Sequence, residues 1–160
     1  MKKISVKLVI AALLFATGLQ AQSLQDGVND YYAERFKSAK STFEKLIAAN
    51  PNNIEANYWL GQTFIGMEDV AAAKAHYEKA LLASANAPLL LVGMGQVELM
   101  QNKSSEARQR FETALTMTRG KKSDDPEIQN AIGRAITEVY SDKEKKGDIN
   151  WAIQLLTSAS

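Results

Sequence analysis

The sequence predicts an all-α fold, a solenoid of antiparallel helix hairpins, and three observations carry that prediction. First, Ala56 to Leu82 divides into two amphipathic stripes about a turn at Gly66. Trp59, Leu60, Phe64 and Ile65 form one stripe and Ala73, Tyr77, Ala80 and Leu81 the other, with Lys74, Glu78 and Lys79 outside it. Second, Gly61 interrupts the first stripe. A helix-interior glycine costs about 1 kcal/mol relative to alanine, so it marks the close approach of a neighbouring helix. Third, the pattern recurs every 34 residues: Gly61 as Gly95, Ala73 as Ala107, Tyr77 as Phe111 and Ala80 as Ala114. Upstream, Ala39 precedes Ala73 and Phe43 precedes Tyr77 by the same 34. One hairpin cannot bury two apolar faces alone, so each copy needs the next.

A helix–turn–helix repeat of this period, with Leu60-Gly61, Phe64, Ala73, Tyr77 and Ala80 in one copy and Gly95, Ala107, Phe111 and Ala114 in the next, resembles the tetratricopeptide repeat (TPR) family. The resemblance runs from about Leu24 to the C-terminus. It implies a right-handed solenoid of about four repeats, near 22–53, 54–87, 88–121 and 122–160.

The composition fits a helical domain. Of 160 residues, 46% are hydrophobic and 23% charged, with only 3 Pro, enough to bury a core in one domain. The formal net charge of +1 includes three from Lys2, Lys3 and Lys7, which leaves −2 for the rest, no footprint for nucleic acid. With no Cys there is no disulfide, thiolate metal site or cysteine nucleophile.

Residues 1–21 have the layout of a secretory signal peptide: Lys2, Lys3 and Lys7, an apolar run from Leu8 to Leu19, and a cleavage point expected after Ala21. The run is too short to span a bilayer, which takes roughly 20 apolar residues. An exported protein is therefore expected, periplasmic or secreted, with no integral membrane segment after cleavage.

In the first repeat, Leu24, Val28 and Tyr31 give one face and Phe36, Ala39, Phe43, Leu46 and Ile47 the other. A strict period would align Gly27 with Gly61 but set Asp26 and Asp30 where Leu60 and Phe64 pack, so the first helix is expected one residue out of register, with a shortened turn at Glu34-Arg35. Pro51 separates this hairpin from the next. Leu89 to Val92 looks like a buried strand in isolation, but the period makes it the first helix of the third hairpin, opened by Pro88. Asp125-Pro126 reads as a cap and first-turn proline. In the fourth repeat Gly133 falls 38 residues after Gly95, and Gly133 to Ala152 spans 19 where other repeats span 12, so an insertion of about seven lies in Tyr140 to Lys146. Trp151, Ile153, Leu155 and Leu156 have no following hairpin to cover them, which points to a longer repeat array or to docking at this end.

No constellation supports catalysis. His76 is the single histidine and has no carboxylate on its own helix face, whereas zinc sites need three or four ligands and histidine catalysis needs a partner. It reads as a surface helix residue. Gly93-Met94-Gly95 lacks the Gly-Lys-Ser/Thr of a phosphate loop. Asp124, Asp125 and Glu127 are explained by helix capping, and Lys121-Lys122 and Lys143, Lys145 and Lys146 by solvated loops. No metal, cofactor or enzymatic activity is expected.

The family resemblance implies that first helices line a concave groove. Residues one step off the packing face would point into it: Gln25, Asn29 and Tyr32, then Tyr58, Gln62 and Ile65, then Val92, Gln96 and Leu99, then Asn130 and Arg134. Amides satisfy the backbone of an extended peptide while Tyr58, Ile65 and Leu99 hold its side chains. The third repeat's first helix has no Lys or Arg, so the terminal-carboxylate clamp of chaperone-binding TPR domains is not expected. The function expected is a non-catalytic scaffold of the cell envelope binding a protein or peptide. The alternative is a module that self-associates through its C-terminal face.

Overall fold

A computed structural model describes residues 23–119, 125–140 and 146–159; residues 1–21, where a signal peptide is expected, lie outside them. Among the described residues there are eight helices and no strand. They are α1 (23–32), α2 (Phe36–Ala49), α3 (Ile54–Gly66), α4 (Val70–Ala83), α5 (Pro88–Met100), α6 (Ser104–Thr118), α7 (Pro126–Val139) and α8 (Ile149–Ser158). Successive pairs form hairpins. Between hairpins α2 packs on α3, α4 on α5 and α6 on α7, while α3, α5 and α7 also touch one another in sequence along one wall.

Capping fixes several helix starts. Asn53, Asp69, Asp125 and Asp148 each accept a backbone N–H of the first turn through a side-chain oxygen, at 2.9–3.0 Å. Pro88 and Pro126 occupy first turns, where a missing N–H costs nothing. Leu89 to Leu99 is buried on every side because α5 is enclosed by α3, α4, α6 and α7. That is why its sequence shows no amphipathic period.

The first repeat keeps the strict register, correcting the expected one-residue shift. Gly27 lies against Phe43 as Gly61 lies against Tyr77 and Gly95 against Phe111: a Cβ would stand 2.6, 2.1 and 2.5 Å from the nearest ring atom. The turns agree as well. Glu34, Glu68 and Asn102, spaced by 34, all have positive φ, at 57°, 61° and 62°. The hairpin turn thus needs one left-handed residue and supplies it without glycine. Asp26 is exposed where Leu60, 34 residues later, is buried, so its carboxylate stays in solvent. Asp30 accepts hydrogen bonds from Ser38 and Arg35, both at 2.5 Å, which tie α1 to α2 and hold its carboxyl below the usual range, Ser38 contributing most.

The fourth repeat carries the expected insertion. Ala152 is fully buried like Ala39, Ala73 and Ala107, and Gly133 meets Leu156, with a Cβ 2.5 Å from its Cγ. Residues 141–145 of the insertion lie outside the described residues. At this end Trp151 is half-buried beneath Arg108, whose guanidinium lies 3.5 Å from the ring centroid, and Leu155 is buried. Ile153 is left 54% exposed.

Candidate binding groove

The first helices α3, α5 and α7 stack side by side along one wall. With the register strict, Gln62, Gln96 and Arg134 occupy one column, and Val28 is its first-repeat member. Tyr58, Val92 and Asn130 form a second column with Leu24, and Ile65, Leu99 and Thr137 a third with Tyr31. The expected first-repeat positions, Gln25, Asn29 and Tyr32, therefore sit one residue aside from these columns.

The structure divides the candidate residues in two. Tyr58, Gln62, Gln96 and Leu99 are buried, as is Val92; Gln25, Asn29, Tyr32 and Asn130 are exposed; Ile65 and Arg134 are half-buried. The buried amides are already satisfied. Gln62 Nε2 donates to Gln96 Oε1 at 2.8 Å and lies 3.1 Å from the Tyr77 hydroxyl. That hydroxyl donates to the backbone carbonyl of Tyr58 at 2.9 Å, and Gln96 Nε2 donates to Glu138 Oε2 at 2.7 Å. Neighbouring repeats pack so closely that the column side chains bond to one another, consistent with the rule that buried polar groups are paired. Gln25 and Asn29 bond each other at 2.9 Å on the exposed side of α1.

Four further groups stand at this site: the sequence reads Tyr31, Trp59 and Tyr77 as packing residues only, and does not single out Glu138. Tyr31, Tyr32 and Tyr58 each pack edge-on against Trp59, with centroids 5.3, 5.8 and 5.4 Å away. Arg134 stands over the Trp59 ring at 5.3 Å, donates to the Tyr32 hydroxyl and reaches 3.5 Å from the Tyr58 hydroxyl. The aromatic pairs Tyr31-Tyr32 and Tyr58-Trp59 are the available sequence signal for this cluster. Burial pushes the Tyr31 hydroxyl up to about 12, and it raises those of Tyr58 and Tyr77 well above the ordinary value. All three are neutral phenols at physiological pH.

Elsewhere His76 lies between α3 and α4, half-buried, with Nε2 3.0 Å from the Asn57 carbonyl, rather than on an open surface as expected. Burial lowers its pKa against that backbone hydrogen bond. Among the described residues no three His, Cys, Asp or Glu side chains gather as metal ligands, and no helix is long and apolar enough to cross a membrane.

Comparison with known proteins agrees with the repeat geometry. A family model described as tetratricopeptide repeat matches residues 26–88 and again 61–126. The chain is 30% identical over 97 residues to "Tetratricopeptide repeat protein 1" of Schizosaccharomyces pombe; this covers 54% of the chain but only 9% of that relative. The crystal structure of MamA superposes with a TM-score of 0.52 at 16% identity, covering 96% of this chain and 83% of that one. A thermophilic TPR protein of Thermus thermophilus matches with a TM-score of 0.39 at 17% identity, covering 88% and 98%. On its repeat register and the family match over more than half its length, the chain belongs to the tetratricopeptide repeat family.

Proposed function

We propose that the protein is an exported, non-catalytic scaffold of the cell envelope that binds a protein or peptide partner along the wall formed by α1, α3, α5 and α7. TPR proteins in general are protein-interaction scaffolds without catalysis of their own. Export, to the periplasm or outside the cell, is inferred from the basic start and short apolar run of residues 1–21. The observation that carries the groove reading is the set of side chains left open on that wall: Tyr32, Asn29 and Asn130 exposed, with Arg134 half-buried among aromatic rings. Aromatic and arginine side chains with adjacent amides are the residue types that anchor protein partners.

The test is photo-crosslinking in the native cells, with a reactive residue at Asn130 and a control at exposed Lys79 on α4. A discrete envelope protein trapped from Asn130 alone supports the reading. Equal trapping at both sites, or none at Asn130, rejects the groove. Self-association is the second reading, favoured by Ile153, which α8 leaves 54% exposed. A sedimentation coefficient that rises with concentration and is restored to the monomer value by Ile153→Asp would establish it instead.

A further inference from the structure

In a solenoid each repeat normally contacts only its neighbours. Arg134 breaks that rule. From α7 its Nη1 donates a hydrogen bond to the hydroxyl of Tyr32 at the end of α1, 102 residues earlier and in the first repeat. The same guanidinium stands over Trp59 at 5.3 Å and lies 3.5 Å from the Tyr58 hydroxyl of the second repeat. One turn along α7, Glu138 accepts from Gln96 of the third repeat at 2.7 Å. A single helical turn of the fourth repeat thus holds all three others.

The two contacts differ in depth. Gln96 is buried, whereas Tyr32 is 61% exposed, so the Arg134–Tyr32 bond spans the outer mouth of the groove and is not part of the core. Its acceptor is a phenol hydroxyl oxygen, which holds a guanidinium far less firmly than a carboxylate does. The Tyr32 ring meets Tyr31 and Trp59 edge-on, with centroids 5.4 and 5.8 Å away. A weak, exposed bond between distant repeats can open without disturbing the apolar clusters beneath it.

We propose that Tyr32 and Arg134 form a strap across the groove, which couples the first repeat to the fourth and parts to admit an extended chain. The second half of this proposal rests on the groove reading above; the coupling itself does not.

Hydrogen exchange of the full chain tests it without any partner, using the wild type, Tyr32→Phe, Arg134→Gln and the double variant. Tyr32→Phe removes only a hydroxyl and keeps the ring, so the fold is retained. It is expected to raise exchange at the far side, in α7, by about threefold to fivefold, and Arg134→Gln to do the same in α1. The double variant should exchange no faster than either single one, because all three lack the same bond. Changes confined to the substituted helix, factors that multiply in the double variant, or no change would each overturn the strap. Exchange coupling together with no trapping at Asn130 would keep the coupling and reject the groove.

Discussion

The ring of Tyr77 fills the space that a side chain on Gly61 would need: a Cβ there would stand 2.1 Å from its Cζ. A Cβ on Gly93 of α5 would meet the same ring at 2.3 Å, so the phenol is gripped between two repeats while its hydroxyl bonds Tyr58 and Gln62. The ring has no room to give. Gly61→Ala and Gly93→Ala should each lower stability by about 1–3 kcal/mol, after the roughly 1 kcal/mol that alanine gains in a helix. Their combined effect should fall short of the sum, since either displaces the same ring. Urea unfolding of the three variants measures both points, and a stabilised Gly61→Ala would contradict the geometry.

Hairpin turns give a prediction of the opposite sign. Glu34 and Glu68 hold φ of 57° and 61°, where an L side chain costs about 1–2 kcal/mol and glycine costs nothing sterically. Part of that gain is offset by the freer unfolded chain. Glu68→Gly should raise stability by up to about 1 kcal/mol, and Asn102→Gly by less, because asparagine already tolerates this region. Thermal unfolding of the two variants side by side checks the order.

These turns also explain which parts of the fold are legible in sequence. The 34-residue recurrence of Ala39, Ala73 and Ala107, all fully buried, establishes the hairpins, and the seven-residue insertion before Ala152 follows from counting. The first-repeat register is hidden because Asp26 and Asp30 look incompatible with a packed face. Position along the stack decides whether that face is packed, and periodicity alone carries no such information. The groove is obscured for a related reason. Gln62 and Gln96 look like recognition residues in isolation, yet a spacing of 34 on adjacent parallel helices is also what lets two amides bond each other.

Gln62→Ala therefore tests packing, not partner recognition. It leaves the buried Gln96 Oε1 without its donor and removes a contact to the Tyr77 hydroxyl. A loss of about 1–3 kcal/mol is expected, the cost of an unpaired buried polar group. Asn130→Ala, on the exposed rim of the same wall, should leave stability within about 0.5 kcal/mol. Equal unfolding midpoints for both variants would contradict the network.

Glu98 and Arg110 form an ion pair at 2.7 Å at the register positions held one repeat earlier by Phe64 and His76, whose rings are 6.1 Å apart. Glu98 is buried and its Oε2 has no hydrogen-bond partner. A pair that is only half satisfied contributes little, and an apolar residue of similar volume often does as well. Glu98→Met should be neutral or stabilising by about 1 kcal/mol, whereas Arg110→Ala should cost about 1–3 kcal/mol by leaving the carboxylate alone. The reverse order in chemical denaturation would mean that the pair holds the third hairpin together.

Alkaline pH should unfold the protein through its buried phenols. Burial raises the pKa of Tyr58 and Tyr77 well above the ordinary value of 10.0 and that of Tyr31 to about 12, so the folded state keeps protons that the unfolded state releases. Their contribution is complete below pH 10 and is lost as pH rises from 10 through the folded values, at up to about 1.4 kcal/mol per pH unit for each fully buried phenol. Tyr58→Phe isolates one of them. Its hydroxyl sits 3.5 Å from Arg134, a marginal hydrogen bond, so the change should be nearly silent at pH 7. Above pH 10 the variant should lose stability less steeply than the wild type. Parallel curves between pH 9 and 12 would mean that the Tyr58 phenol titrates normally and is reached by solvent between the repeats.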